Sequence, residues 1–201
     1  MKSGIEIAIS EKGSELLGGN AEAEFTYRLA NSEELKWLET ISQNISGIIE
    51  FRSMAKFVEG GANERALTQV KAVDNKYPLI GNVQLASGKS FKDVFRQPKS
   101  AVMESDLASR LGINIGETFS LGLTQFVLRD IIQSSPDDAG TNFGFGPRTI
   151  IKSEDLLDSG LIAPGTLFTA KYRLLIEPFE NLDELRTCLL YTSPSPRDGT
   201  S

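Results

Sequence analysis

The chain of 201 residues contains no histidine. That excludes Ser-His-Asp and Cys-His nucleophilic sites, the usual zinc centres and the commonest general base near neutral pH. Cysteine is nearly as scarce: Cys188 stands alone, so no internal disulfide can form. An enzyme built on this sequence would have to work with carboxylates, lysine or tyrosine. Lys and Arg nowhere gather into a block, and the formal charge is −6. Nucleic acid is therefore not an expected partner, because phosphate neutralisation dominates that affinity. Apolar runs stay far short of the about 20 residues that span a bilayer. The opening residues also lack the charged-then-apolar order of a secretion signal.

What is present is a mixture of helical and strand periodicities. Ser3 and Glu6 match a capping box, Ile5, Ile9 and Leu16 share a helical face, and Gly18-Gly19 supplies a stop. These predict a helix over about 4–17, either a membrane-proximal stalk or a helix packed on its own domain. Ala21, Ala23, Phe25, Tyr27 and Leu29 alternate as in a half-buried strand. Asn31 with Glu34 repeats the cap signature ahead of a second helix carrying Leu35, Leu38 and Ile41, with Trp37 as a core residue. A β-rich run over 48–58, a turn at 59–64 and a returning strand with Ala66, Thr68, Val70 and Ala72 on one face complete β-α-β and a hairpin.

The stretch VKAVDNKYPLIG, residues 70–81, reads as a strand running into a rigid corner, with Asp74-Asn75 as turn formers and Pro78 restricting Tyr77. Residues 86–100 predict a loop or short helix, 105–111 a short helix ending at Gly112, and 118–121 with 125–132 a pair of strands. A strand at 148–151, a helix from Ser153 to Gly160, an alternating strand from Phe168 to Ile176 and a last helix from Asn181 follow. Strand–helix–strand stretches with small β elements between them predict an α+β domain with a β-rich insert.

Three groupings are candidates for chemistry. Glu104 with Asp106, and Asp137 with Asp138, are carboxylate pairs of the kind acid–base catalysis uses, or else acids at a helix start and in a turn. Gly144-Phe145-Gly146-Pro147-Arg148 is an aromatic-glycine loop without the Lys-Ser/Thr of a phosphate cradle. Phe143 or Phe145 would touch a ligand, or tuck into the core. Phe51-Arg52-Ser53-Met54 places unlike residues on alternate strand faces, where Arg52 could pair with an acid across the sheet and Met54 could face a partner.

Six ordered segments carry a resemblance. LLGGNAEAEFTYR (16–28), EFRSMA (50–55), QVKAVDNKYPLIG (69–81), DLASRLGINIGETFSLG (106–122), GFGPRTII (144–151) and SGLIAPGTLFTAKYRL (159–174) resemble the first large extracytoplasmic domain of MacB/FtsX-like ABC transporter permeases of the YbbP type. The resemblance covers residues 16–186. It implies a porter-like α+β domain of split βαβ units, residues 19–187, with a small β-rich subdomain inserted at about 75–135 and a membrane-proximal helix at 1–18. The last residues, 188–201, look like a translated sequencing-adapter tail, a disordered natural terminus being the alternative.

The resemblance further implies an extracytoplasmic location at the bacterial inner membrane and missing membrane helices on either flank. A separate cytoplasmic ATPase subunit would be the partner, and a lipid-like or lipoprotein-like cargo or a periplasmic protein would receive the motion. No cofactor, metal or catalytic residue is implied. It singles out Phe51, Arg52, Met54, Lys71 and Arg148 as structural or contact residues. Asp74, Tyr77, Pro78 and Gly81 would lock the corner, with Phe145 on the loop. The competing readings are a free-standing periplasmic binding or scaffold module and a carboxylate-based hydrolase.

Overall fold

The computed structural model describes residues 6–9, 21–59, 62–136, 146–156, 159–162 and 165–176. The elements run in the order β1 (Glu6–Ile9), β2 (Ala21–Thr26), α1 (Ser32–Ile41), β3 (Asn44–Glu59), β4 (Ala62–Val73), β5 (Gln84–Leu85), α2 (Phe91–Val94) and β6 (Ser100–Glu104). They continue with α3 (Ser105–Leu111), β7 (Thr118–Leu121), β8 (Thr124–Ser134), β9 (Arg148–Lys152), a 3-10 turn (Ser153–Leu156) and β10 (Phe168–Leu175).

Local chemistry explains α1. The Asn31 side chain accepts from the backbone N–H groups of Glu33 and Glu34 at 3.0 and 2.9 Å, and the Glu34 carboxylate accepts from Asn31 N–H at 2.8 Å. This is the capping box expected from the sequence. Arg28 adds two hydrogen bonds to the same carboxylate at 2.7 and 2.8 Å. The helix then presents Leu38, fully buried, with Leu35, Trp37 and Ile41 around it, to Ala21, Ala23, Phe25, Ala170 and Leu174. Small alanines on β2 and β10 let the helix approach closely. Each large side chain so buried contributes roughly 1.5–3 kcal/mol.

Strands β2 and β3 both pair antiparallel with β10, which lies between them. They are therefore parallel to each other and linked by α1, a split β-α-β unit. β3 then continues beyond β10, whose first residue, Phe168, lies opposite Phe51. Over that further reach β3 pairs with β4 and, at Ala55 and Lys56, with β7.

The strand neighbours of β4 complete a ring. β4 pairs with β9, β9 with β6, β6 with β8, β8 with β7, and β7 returns to β3. Six strands thus close on themselves, removing edges that would otherwise stand unpaired. The interior holds Phe51, Ala55, Val70, Met103, Phe126 and Leu128, with Leu107 and Leu111 of α3 packed against them. Gly112 terminates α3 at φ +67, a left-handed conformation that suits glycine. A second cluster lies outside the ring, where Tyr77, Phe91 and Phe95 cover Ile48, Val73, Val102 and Ile150. The strands within 75–135 are thereby continuous with the rest of the sheet, through β9 on one side and through the β7–β3 pairing on the other.

Two expectations are corrected. Residues 6–9, expected within a helix over 4–17, form β1, with Glu6 opposite Glu24 and Ile9 opposite Ala21. Ile5, Ile7 and Ile9 alternate with smaller or polar residues, and this two-residue period outcompetes the helical spacing once β2 offers an edge. The helix expected from Ser153 to Gly160 is a single 3-10 turn ending at Leu156. The helix expected from Asn181, the tail from Cys188 and the Asp137-Asp138 pair lie outside the described residues.

Candidate functional site

The corner after β4 is fastened by one carboxylate. Asp74 accepts from Ser46 Oγ at 2.8 Å, Gly47 N–H at 2.7 Å, Lys76 N–H at 3.0 Å and Tyr77 N–H at 3.1 Å. Its own N–H donates to the Gly47 carbonyl at 3.2 Å. A short acceptor side chain at a turn can satisfy successive backbone donors, which is why aspartate suits this position. The Tyr77-Pro78 peptide bond is cis. Tyr77 is 2% exposed and meets the Phe91 ring edge-on at 5.9 Å, so it is a core residue. Pro78 and Gly81 stand at the rim of an open groove of about 650 Å³ whose floor includes Phe91 and whose margin carries Lys89 and Lys92.

Beside the corner a row of opposite charges crosses four strands. Lys71 on β4 places Nζ 3.8 Å from Glu50 Oε1 and 5.1 Å from the Tyr77 ring centroid. Glu50 on β3 also receives Lys171 of β10 at 2.9 Å. Arg173 of β10 pairs with Glu22 of β2. Lys71 and Arg173 are 2% and 4% exposed, so these charges are interior ones. Burial works against the ionised form of Glu50, but Lys71 and Lys171 together outweigh it and hold the carboxyl below its ordinary range. At Glu22 the balance reverses: burial raises the carboxyl more than Arg173 and Lys171 lower it. Such a seam links four strands, and loss of either partner would strand a buried charge.

This seam escaped the sequence reading, although its signal was present. Glu22 and Glu24 alternate with Ala21, Ala23 and Phe25, while Lys171 and Arg173 alternate with Ala170, Tyr172 and Leu174. Opposite charges on the matching faces of two strands become visible only when the two are known to be neighbours.

The other expected residues separate. Phe51 points into the ring and is 4% exposed, whereas Arg52 and Met54 stand on the outer face and are exposed. Arg52 lies opposite Gln69 in register. Arg148 opens β9 and binds Glu104: Nε donates at 2.7 Å, a terminal nitrogen lies 2.6 Å away, and the backbone N–H donates at 3.2 Å. Glu104 is thereby a tie between β9 and the β6–α3 junction. Asp106 occupies the first turn of α3, where an acid complements the helix dipole. Phe143 and Phe145 lie outside the described residues. A second groove, of about 480 Å³, is lined by Arg52, Arg65, Leu67 and Arg110 together with Gly146 and Pro147.

Comparison with known proteins agrees with this architecture. The chain is 26% identical over 172 residues to the uncharacterized ABC transporter permease YbbP of Escherichia coli (strain K12), covering 84% of this chain and 20% of that protein. It therefore spans about a fifth of that relative's length. The fold is similar to the extracellular domain of the noncanonic ABC-type transporter YknZ from Gram-positive bacteria, with a TM-score of 0.52, 11% identity and coverage of 91% and 87%. It is likewise similar to the periplasmic region of MacB from Actinobacillus actinomycetemcomitans, with a TM-score of 0.52, 12% identity and coverage of 90% and 86%. With a family match that extends over residues 5–184, the chain belongs to the MacB-like periplasmic core domain family.

Proposed function

We propose that this domain is a passive relay of an ABC transporter permease, held on the extracytoplasmic side of the bacterial inner membrane. A separate cytoplasmic ATPase subunit drives it through membrane helices that flank the domain in the whole protein. The motion is delivered to a lipid-like or lipoprotein-like cargo, or to a periplasmic protein. The domain performs no chemistry of its own.

The observation that supports this reading most directly is the continuity of β3. Its 16 residues span about 50 Å, and they belong to the split β-α-β unit at one end and to the closed ring at the other. The buried seam and the Asp74 corner brace the same strand. A displacement imposed near Asn44 is thus carried to Glu59 without an intervening hinge, as rigid-body transmission requires. Lys71 and Asp74 serve this stiffness, and Arg148 ties β9 into the same body.

The test is reconstitution of the complete permease with its ATPase in lipid vesicles. Asp74→Ala in the permease should leave ATP hydrolysis within about twofold while cargo movement falls severalfold. Equal losses of both, or ester hydrolysis by the isolated chain that Glu104→Gln abolishes, would overturn the relay. So would a complete reading frame without a hydrophobic segment on either flank.

A further inference from the structure

We propose that the outward face of the distal β3–β4 hairpin is a docking surface for an acidic protein partner. The proposal rests on the relay reading for its placement in the extracytoplasmic space.

Arg52, Met54, Lys56 and Val58 share one side of β3, because side chains two apart point the same way. The register sets Met54 opposite Leu67 and Lys56 opposite Arg65, so cations and apolar groups interleave across both strands. All six are exposed, Met54, Leu67 and Val58 to 42%, 48% and 67%. Arg110 approaches from α3 and, with Arg52 and Arg65, brings three guanidinium groups to the groove of about 480 Å³. Glu64 lies opposite Phe57 and so belongs to the other face. Glu50, next to Arg52 on this side of β3, is already engaged by Lys71 and Lys171, and Lys56 and Arg110 add their charge to the distal part of the face.

Arginine forks match carboxylates bidentately, and arginine with methionine is enriched at protein contacts. The charge selects an acidic partner, and the geometry selects its class. The surface begins past Phe51, which lies opposite the first residue of β10, and extends about 20 Å further along β3. β10 ends opposite Asn44, at the other extreme of the same strand. If, as the relay reading has it, a membrane anchor follows β10, it joins the domain at the Asn44 end of β3 and leaves the distal hairpin to a soluble partner. A second copy meeting the same face would oppose cations to cations. The patch is two strands wide and its charges stand in solvent, where salt screens them, so the contact is salt-sensitive.

The test titrates the 201-residue chain with a fluorescent short peptide alternating Glu and Val. A Lys–Val counterpart and phosphatidylglycerol vesicles are parallel arms. The acidic peptide should bind, and binding should weaken about tenfold between about 50 and 500 mM NaCl. Arg52→Glu with Arg65→Glu should abolish it, and the milder Arg52→Gln with Arg65→Gln should weaken it at unchanged circular dichroism. Met54→Ser with Leu67→Ser should weaken it severalfold without altering the salt response, and Lys36→Glu on α1 should change nothing. Equal binding by the charge-reversed chain, or no binding, overturns the proposal. So does tighter capture of the vesicles through the same arginines, or a dimer that Arg52→Glu dissociates. Failure here leaves the relay standing, whereas a reading frame without hydrophobic flanks removes the relay and leaves peptide binding measurable.

Discussion

Asp74 Oδ2 accepts the backbone N–H of Gly47 at 2.7 Å, joining the residue that opens the corner after β4 to the start of β3. The same carboxylate gathers Ser46, Lys76 and Tyr77, so one side chain closes a loop and fixes it to a neighbouring strand. Asp74→Ala should therefore cost about 2–4 kcal/mol, since several donors lose their acceptor at once. Thermal unfolding followed by circular dichroism checks this. A cost under about 0.5 kcal/mol would show that water replaces the carboxylate without loss.

Glu50 is the shared acceptor of two lysines, one of them interior. Glu50→Gln should destabilise the domain by about 3 kcal/mol, because Lys71 is left charged in the interior. In a domain of this size that is a fall in Tm of roughly 6–12 °C. Lys71→Met with Glu50→Gln should recover part of the loss, a sign that the penalty lies in the stranded charge rather than in packing.

The same carboxylate sets a pH dependence. Its folded pKa lies below the ordinary value of 4.5, so the unfolded chain takes up its proton first as pH falls. Glu50 stabilises the fold fully above about pH 4.5 and loses that contribution as pH drops through its folded pKa. Unfolding titrations should give a steeper acid limb for the wild type than for Glu50→Gln. Parallel limbs below pH 4.5 would deny Glu50 this role.

The α1 cap offers a milder probe. Asn31→Ala removes the acceptor for two N–H groups of the first turn and should cost about 1 kcal/mol. Glu34→Gln should cost a comparable amount, because the hydrogen bonds from Arg28 hold that carboxyl below its usual range in the folded state. Hydrogen exchange of the amides in 33–36 should rise in both variants before that of β3.

Glu104 separates structural from catalytic readings. Its carboxylate is taken up by the Arg148 side chain and backbone, both ends of the pair being partly exposed. Glu104→Gln should lower stability by about 1 kcal/mol and change no ester or amide turnover. Loss of a measurable hydrolytic rate at unchanged stability would contradict this assignment.

Much of the domain is legible without coordinates. Alternation predicts β2 and the end of β10, the Asn31 and Glu34 spacing predicts the start of α1, and Gly112 marks the end of α3. Each is a local signal, carried by side-chain period or by a backbone conformation that one residue type prefers. At 6–9 two periods coexist, and only the paired edge of β2 decides between them. Tyr77 could have faced outward on pattern alone; its burial depends on Phe91, fourteen positions away in the chain.

The amino-acid sequence by itself determined the inventory: an α+β chain without histidine, with strands whose alternating faces are already assigned and corners placed at Asp74, Gly112 and Gly116. Tertiary structure alone decided which faces meet. The closure of β7 onto β3, the pairing of Glu50 with lysines from two other strands, and the gathering of Arg52, Arg65 and Arg110 are contacts between distant segments. Strand register and charge pairing are set by long-range packing, which no local period encodes.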